Sequence, residues 1–396
     1  MTSHRHHWDL DEGVTFLNHG SYGACPRVVR QAQRDWQDRM ESQPVRFFQR
    51  EYQEALDGAR EALADFIGGQ AQDLVLVPNA TYGLNSVVGS FPFEAGDEIL
   101  VHDHAYGACH NALDYVAAQR GVRVNVVSLP FPCAGPDEIR DRILAAVTPR
   151  TVLAMIDLVT SPTGLLLPVA SLVAELEARG VDTLVDAAHG VGMVTLDLDA
   201  LGAAYVTGNC HKWLCTPKGS AFLHVRADRR DRVRPATISH GATAPTEVRS
   251  RFHLEFDWTG TYDPTALLVI PDALDFLGSL EPGGMVGLMA RNRALALEAR
   301  GRLATELGVD LPCPDSMLAC LAALPLHSQD VPLAVWPLEA DPLQEWLWAE
   351  HRIEVPVFGW PALGKRMIRI SAAAHNVPED YERLREALCE APRELL

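Results

Sequence analysis

Two ionisable residues stand where a folded chain pays dearly to keep them. Asp186 follows the apolar run Thr183-Leu184-Val185, and Lys212 lies in the loop Thr207-Gly208-Asn209-Cys210-His211-Lys212-Trp213, after a second apolar run at 204–206. A carboxylate at the end of a buried strand is costly unless a cation meets it. A lysine enclosed by small and aromatic residues loses solvation, its pKa falls, and its amine can attack a carbonyl to form a Schiff base. Three more polar clusters follow apolar runs. Pro78-Asn79-Ala80-Thr81-Tyr82-Gly83 reads as a strand entering a helix, where free N–H groups, the helix dipole and the Thr81 hydroxyl suit a phosphate. His102-Asp103-His104-Ala105-Tyr106 offers flat rings that can stack on a planar group, and Thr160-Ser161-Pro162-Thr163-Gly164 is a polar turn. Each has a plain alternative: an ordinary helix cap, a structural salt bridge, a solvated surface lysine, a simple turn. What argues for a site is that all five fall at the ends of predicted strands. His102 and His104 would share one face of a continued strand, but no third ligand lies at a telling spacing, so no metal is expected. His4, His6 and His7 read as a loose, solvated tail rather than a metal site.

An activated amine, a buried carboxylate and an anion cradle together fit pyridoxal 5'-phosphate (PLP), whose protonated ring nitrogen would be the cation that Asp186 needs. The elements that must position them follow from the hydrophobic pattern. Short apolar runs at 74–77, 99–101, 124–127, 152–156, 183–185, 204–206 and 221–225 lack polar alternation, which suits strands buried on both faces. Helical patterns at 106–120, 137–147 and 168–179 lie between them. Strand–helix alternation of this kind predicts an α/β fold with a mostly parallel sheet, and in such sheets ligands bind beyond the carboxyl ends of the strands. Helices are predicted at 28–40 and 49–67 before the sheet and at 264–277 and 285–307 after a basic, loop-rich stretch at 226–250. Strand-like pieces at 317–322, 353–357 and 367–370, with helices at 342–351 and 378–390, suggest a smaller α+β domain. The expected organisation is a tail over 1–15, a large PLP-binding domain over 16–270 and a small C-terminal domain over 271–396.

Composition narrows the partners. With 34 basic against 52 acidic residues the chain carries a net charge of -18, which argues against nucleic acid or an anionic membrane surface. The eight cysteines are scattered without a CxxC pair, no apolar run is long enough to span a membrane, and the N-terminus lacks the apolar centre of a signal peptide. A cytoplasmic location is the expectation. Neither GxGxxG nor a full GxxxxGK[ST] loop occurs; the nearest approach, Gly359 to Lys365, continues with Arg366 where a hydroxyl is needed.

Taken in order, several pieces resemble fold-type I PLP enzymes of the class V aminotransferase type, and within them the isopenicillin N epimerase-like family. They are Phe16-Leu17-Asn18-His19-Gly20-Ser21-Tyr22-Gly23, Asn79-Ala80-Thr81, Asp103-His104-Ala105-Tyr106, Ser161-Pro162-Thr163-Gly164, Asp186-Ala187-Ala188-His189, His211-Lys212-Trp213, Gly260-Thr261 and Arg369-Ile370-Ser371. The resemblance implies a seven-stranded, mostly parallel sheet with a smaller α+β unit, PLP as cofactor and a homodimer with shared active sites. It implies that Lys212 carries PLP and moves the Cα proton, that Asp186 pairs with the ring nitrogen, and that His189 lies beside the ring oxygen, where cysteine desulfurases usually carry Gln. It assigns the phosphate to Ala80 (through its backbone), Thr81, Asn209 and His211, with Thr261 reaching the phosphate of the neighbouring subunit and Ser161 in the cofactor site. Tyr106 aligns with the ring-stacking position, with His104 as a competitor. Arg369 would grip the substrate carboxylate in a bidentate fork, while Asn18, His19 and Tyr22 would line the substrate side.

The reaction stays open at this level. An epimerase or racemase, the leading expectation by resemblance, needs acid–base groups on both faces of Cα: Lys212 on one, with His19, His104 or Tyr106 on the other. A β-eliminating C–S lyase needs only Lys212 and a substrate with a sulfur leaving group, and an aminotransferase must accept a second substrate. A cysteine desulfurase is disfavoured, because the stretch 354–366 before Arg369 contains no cysteine and Cys313 and Cys320 lie too far upstream. A catalytically dead protein on the same fold would usually have lost Lys212 or Asp186.

Overall fold

A computed structural model describes residues 3–327, 340–360 and 365–396. In chain order its strands are β1 (Thr15–Phe16), β2 (Leu74–Val77), β3 (Glu98–His102), β4 (Arg123–Val127), β5 (Thr151–Asp157), β6 (Asp182–Asp186), β7 (Tyr205–Asn209), β8 (Ala221–Val225), β9 (Leu321–Leu326), β10 (Ile353–Glu354), β11 (Val357–Gly359) and β12 (Arg366–Ser371). Seven of them form one sheet in the order β2-β8-β7-β6-β5-β3-β4. All seven apolar runs are therefore strands of a single sheet. β8 alone runs antiparallel to its neighbours, β2 and β7; the pairs from β7 across to β4 are parallel. Every residue of β2, β3, β6, β7 and β8 is buried, as expected for strands covered by helices on both faces.

A second sheet, β11-β12-β9, is antiparallel throughout and packs against the helix Gly284–Leu307, on which the helix Pro378–Glu390 packs in turn. The pattern at 264–277 is two helices, Thr265–Leu268 and Ile270–Gly278. The break comes before Pro271, which cannot donate the hydrogen bond that would continue a helix. Among the described residues no helix is long and apolar enough to cross a membrane. Of the Gly359 to Lys365 stretch, residues 361–364 lie outside the described residues.

The loose tail read for the N-terminus is corrected by the structure. Trp8 is buried in a cluster with Leu277 and Leu288, and its Nε1–H donates to Ala24 O at 3.0 Å. His4 bonds Glu281 at 2.8 Å, and the Arg5 guanidinium donates to the carbonyls of Asp11 and Val14. Burying one indole and satisfying these carbonyls outweighs the ordering cost that favours a free terminus. Further on, β1 pairs in parallel with β10, Leu17 O accepts from Ser371 N at 3.0 Å, and Phe16 O accepts from the Asn376 side chain at 2.9 Å. Residues 15–17 are thus stitched to the chain's C-terminal quarter.

Candidate active site

The carboxyl ends of β2, β3, β5, β6 and β7 lie at one edge of the large sheet, and a cavity of about 180 Å³ opens there. Thr81, Tyr106, Ser161, Asp186, His189, Asn209, His211 and Lys212 line it, together with Tyr22 from the N-terminal segment. That segment reaches the site because Gly23, at φ 72°, crosses the lysine loop closely: a Cβ there would sit 2.1 Å from His211 O. The sharp positive-φ turn and the close approach both require glycine.

Lys212 is buried, and burial draws its amine down to about 8 against the opposing pull of Asp186. Its Nζ lies 3.1 Å from His189 Nε2, and no carboxylate among the described residues forms an ion pair with it. Asp186 accepts from Ala188 N–H at 2.8 Å and from the Cys109 thiol at 3.4 Å. These are neutral donors, and burial raises the Asp186 carboxyl above its ordinary range. A cation placed at this carboxylate would restore its charge. At the start of the helix Ala80–Ser90, Asn79 caps Tyr82 N–H at 2.8 Å. Ala80 N–H is already taken by Asn209 Oδ1 at 2.9 Å, so the cradle differs from the sequence expectation: Ala80 is held by Asn209, and the main-chain N–H without an acceptor among the described residues is that of Thr81. His211, which lines the cavity, donates through Nδ1 to Ser220 O at 2.9 Å.

Arg369, on β12, is buried without a carboxylate partner among the described residues. Its guanidinium donates to Ser161 O and, at 3.2 Å, to Ser21 Oγ, while its Nε has no partner. Burial lowers it to about 10, still cationic at neutral pH. A guanidinium of this planar shape can take a carboxylate in a two-pronged fork; Arg369 itself stands behind Ser21 and Ser161, which line the cavity.

Other sequence candidates are placed elsewhere. His19 is fully buried with Nε2 on Lys212 O at 2.9 Å and Nδ1 on His375 at 3.2 Å, so its ring holds the lysine backbone and does not line the cavity. Asn18 turns to Glu354 at 3.1 Å and accepts from Ser21. His104 is buried behind the site, bonded to Thr163 at 2.8 Å with its ring edge-on to Trp360, whereas Tyr106 is 51% exposed and lines the cavity. Thr261 is exposed and lies outside this cavity.

Two lining or supporting residues escaped the sequence reading. Asp157 ends β5 in register with Asp186, lines the cavity, and has its carboxyl pushed well up by burial and then by Asp186. The rule that singled out Asp186, a carboxylate closing an apolar run, applies equally to it. Cys109 stands three positions after Tyr106, the helical spacing that puts it on the same face.

With this geometry in hand, known proteins give a consistent comparison. The aminotransferase class-V family matches residues 15–335. A probable chloroplastic L-cysteine desulfhydrase of Arabidopsis thaliana is 34% identical over 96% of this chain and 83% of its own. Isopenicillin N epimerase of Streptomyces clavuligerus is also 34% identical, over 96% of this chain and 95% of its own. In fold the chain is similar to the cystine C–S lyase C-DES, solved with its product cysteine persulfide, at a TM-score of 0.80 and 20% identity over 96% of this chain and 98% of that one. PLP fits the residues present: an uncompensated buried carboxylate, a desolvated amine and an open N–H at a helix start surround one cavity.

Proposed function

Because the chain belongs to the aminotransferase class-V family and is a PLP-dependent enzyme, we propose that it acts at Cα of an amino-acid substrate as a C–S lyase, expelling a sulfur leaving group from Cβ. The observation that carries this reading is the single buried amine at the cavity, Lys212, with the imidazoles of His19 and His104 both committed elsewhere. β-Elimination needs one base at Cα; epimerisation needs two.

When bound, PLP supplies an aldehyde that condenses with amines and a ring that withdraws electrons from Cα. Lys212 Nζ would hold that aldehyde and serve as the base for the Cα proton. Asp186 would pair with the ring nitrogen and His189 Nε2 with the ring oxygen. Thr81 and His211 would hold the phosphate, with Asn209 fixing the helix start at Ala80. Tyr106 would pack against the ring. Ser161 and Ser21 aim Arg369 at the substrate carboxylate, and Tyr22 closes the substrate side. Thr261, exposed in one copy, reaches the phosphate of the other in a homodimer. A cysteine desulfurase is not proposed, because 354–366 contains no cysteine to receive sulfur.

Epimerisation is the second reading, favoured by one observation: the phenols of Tyr106 and Tyr22 line the same cavity and can carry a proton on the opposite face. The deciding experiment incubates the PLP-loaded protein with L-amino acids and cysteine conjugates in D2O, followed by mass spectrometry and chiral chromatography. Pyruvate with a released thiol supports the lyase. Deuterium at Cα with inversion and no fragmentation overturns it in favour of the epimerase, and alanine with protein-bound persulfide overturns both. Lys212→Ala should abolish the borohydride-reducible chromophore; a reducible chromophore in that variant removes Lys212 from its role.

A further inference from the structure

Trp213 has one hydrogen-bonding atom, the indole Nε1–H, and it can only donate. It donates to His189 Nδ1 at 3.3 Å, with both rings buried. The other imidazole nitrogen, Nε2, lies 3.1 Å from Lys212 Nζ. A ring nitrogen that accepts carries no proton, so a neutral His189 must carry its proton on Nε2. Its surroundings keep it neutral: burial first, then Lys212, Arg369, His19 and His211, all of which oppose a charge on it. His19 and His211 spend their donors on main-chain carbonyls and do not compete for Nδ1. The indole is itself fixed in place. The main chain that carries it is held closely: a Cβ on Gly192, at φ 82°, would lie 2.7 Å from the Trp213 carbonyl, and Cys215 N–H closes the loop on Lys212 O at 3.2 Å.

We propose that Trp213 is a positioning residue that locks His189 in the Nε2–H tautomer, making the imidazole a one-way donor toward Lys212 Nζ in its neutral amine form and, with PLP bound, toward the cofactor oxygen beside it. The second half rests on the reading of Lys212 and His189 given above. Glutamine at this position would bring a donor of fixed identity. Histidine has two tautomers of similar energy in water, and the wrong one would turn a lone pair on the amine or on the oxygen. The residue next to the lysine removes that choice.

The test is a 15N spectrum of histidine-labelled, PLP-free protein recorded at about pH 9, where Lys212, with its amine drawn down to about 8, is neutral, with the His189 signals identified as those lost in His189→Gln. The expected result is a protonated Nε2 and a bare Nδ1, with the two shifts moving toward each other in Trp213→Phe as the tautomers mix. A protonated Nδ1 in the unmodified protein overturns the proposal, and this spectrum decides alone if Trp213→Phe does not fold. A second measurement is the PLP dissociation constant around the cycle. Trp213→Phe should weaken binding about tenfold when His189 is present, the scale of one buried hydrogen bond. It should weaken binding less than about twofold in the His189→Gln background. Equal weakening in both backgrounds means that the indole only packs, and overturns the proposal. The spectrum is taken without cofactor, so it can succeed even if the borohydride test removes Lys212 from its role.

Discussion

Strand β12 carries two buried arginines three residues apart, Arg366 and Arg369, and an odd spacing sends them to opposite faces of the sheet. Arg366 meets Asp341 in a two-pronged ion pair, one prong at 2.8 Å, and donates to Leu395 O at 2.9 Å. Asp341 in turn caps the helix Pro342–His351 through Leu343 N–H. Arg369 finds a carbonyl, two serine hydroxyls and the face of Phe358, but no carboxylate among the described residues. One face of the strand closes its charge within the protein; the other leaves the charge to be matched from outside. Burial alone does not mark a functional cation. What marks it is burial without a counter-charge, the same condition that sets Asp186 and Lys212 apart.

The largest effect expected from breaking this contrast is on stability at the closed end. Arg366→Ala strands the Asp341 carboxylate and should cost about 3–5 kcal/mol of folding free energy, read by denaturant unfolding, with activity per folded molecule kept. At the open end, Lys212 should make the PLP-free protein more stable as pH rises. Its folded pKa of about 8 lies below its ordinary 10.5. Between those values the unfolded chain binds the extra proton, so stability climbs by roughly 3 kcal/mol across that window. Below pH 8 both states are protonated and the full burial cost is felt. Lys212→Met should remove that slope, and an unchanged slope would contradict the depressed amine. Arg369→Ala should raise KM for amino acids about a hundredfold, roughly 3 kcal/mol of charge-assisted binding, while folding stability holds or rises. A stability loss matching that of Arg366→Ala would erase the distinction. Smallest is Tyr106→Phe, which keeps the ring face and should change turnover less than about threefold in a lyase, the aromatic face being what packs. A collapse of turnover would move the reading to the epimerase.

Much of this was legible in the sequence because the large sheet is buried on both faces. Seven runs without polar alternation became seven strands of one sheet, and the polar clusters following them met at one edge. The antiparallel direction of β8 left no such trace, since a fully buried strand reads alike in either direction. The docking of Trp8 and the β1–β10 pair depend on partners hundreds of residues away that no local pattern announces. Orientation was the hardest to see. The sequence puts Asn18, His19 and Tyr22 on the substrate side, yet the chain sends Tyr22 to the cavity and His19 to the lysine backbone, because successive residues of a helical turn point to different sides. Asp157 was missed although it obeys the rule that found Asp186.

The seam between residues 15–17 and the last part of the chain has a consequence for biosynthesis. Strand β1 finds its partner only when Ile353 emerges from the ribosome, and Leu17 O waits for Ser371. Until then the segment ahead of the Gly23 crossing is held by the docking of His4 and Trp8 on Leu277, Glu281 and Leu288 without its strand pairing, and Arg369 has not been made. The large sheet, whose last strand ends at Val225, can condense during translation before the chain supplies Arg369 to the site.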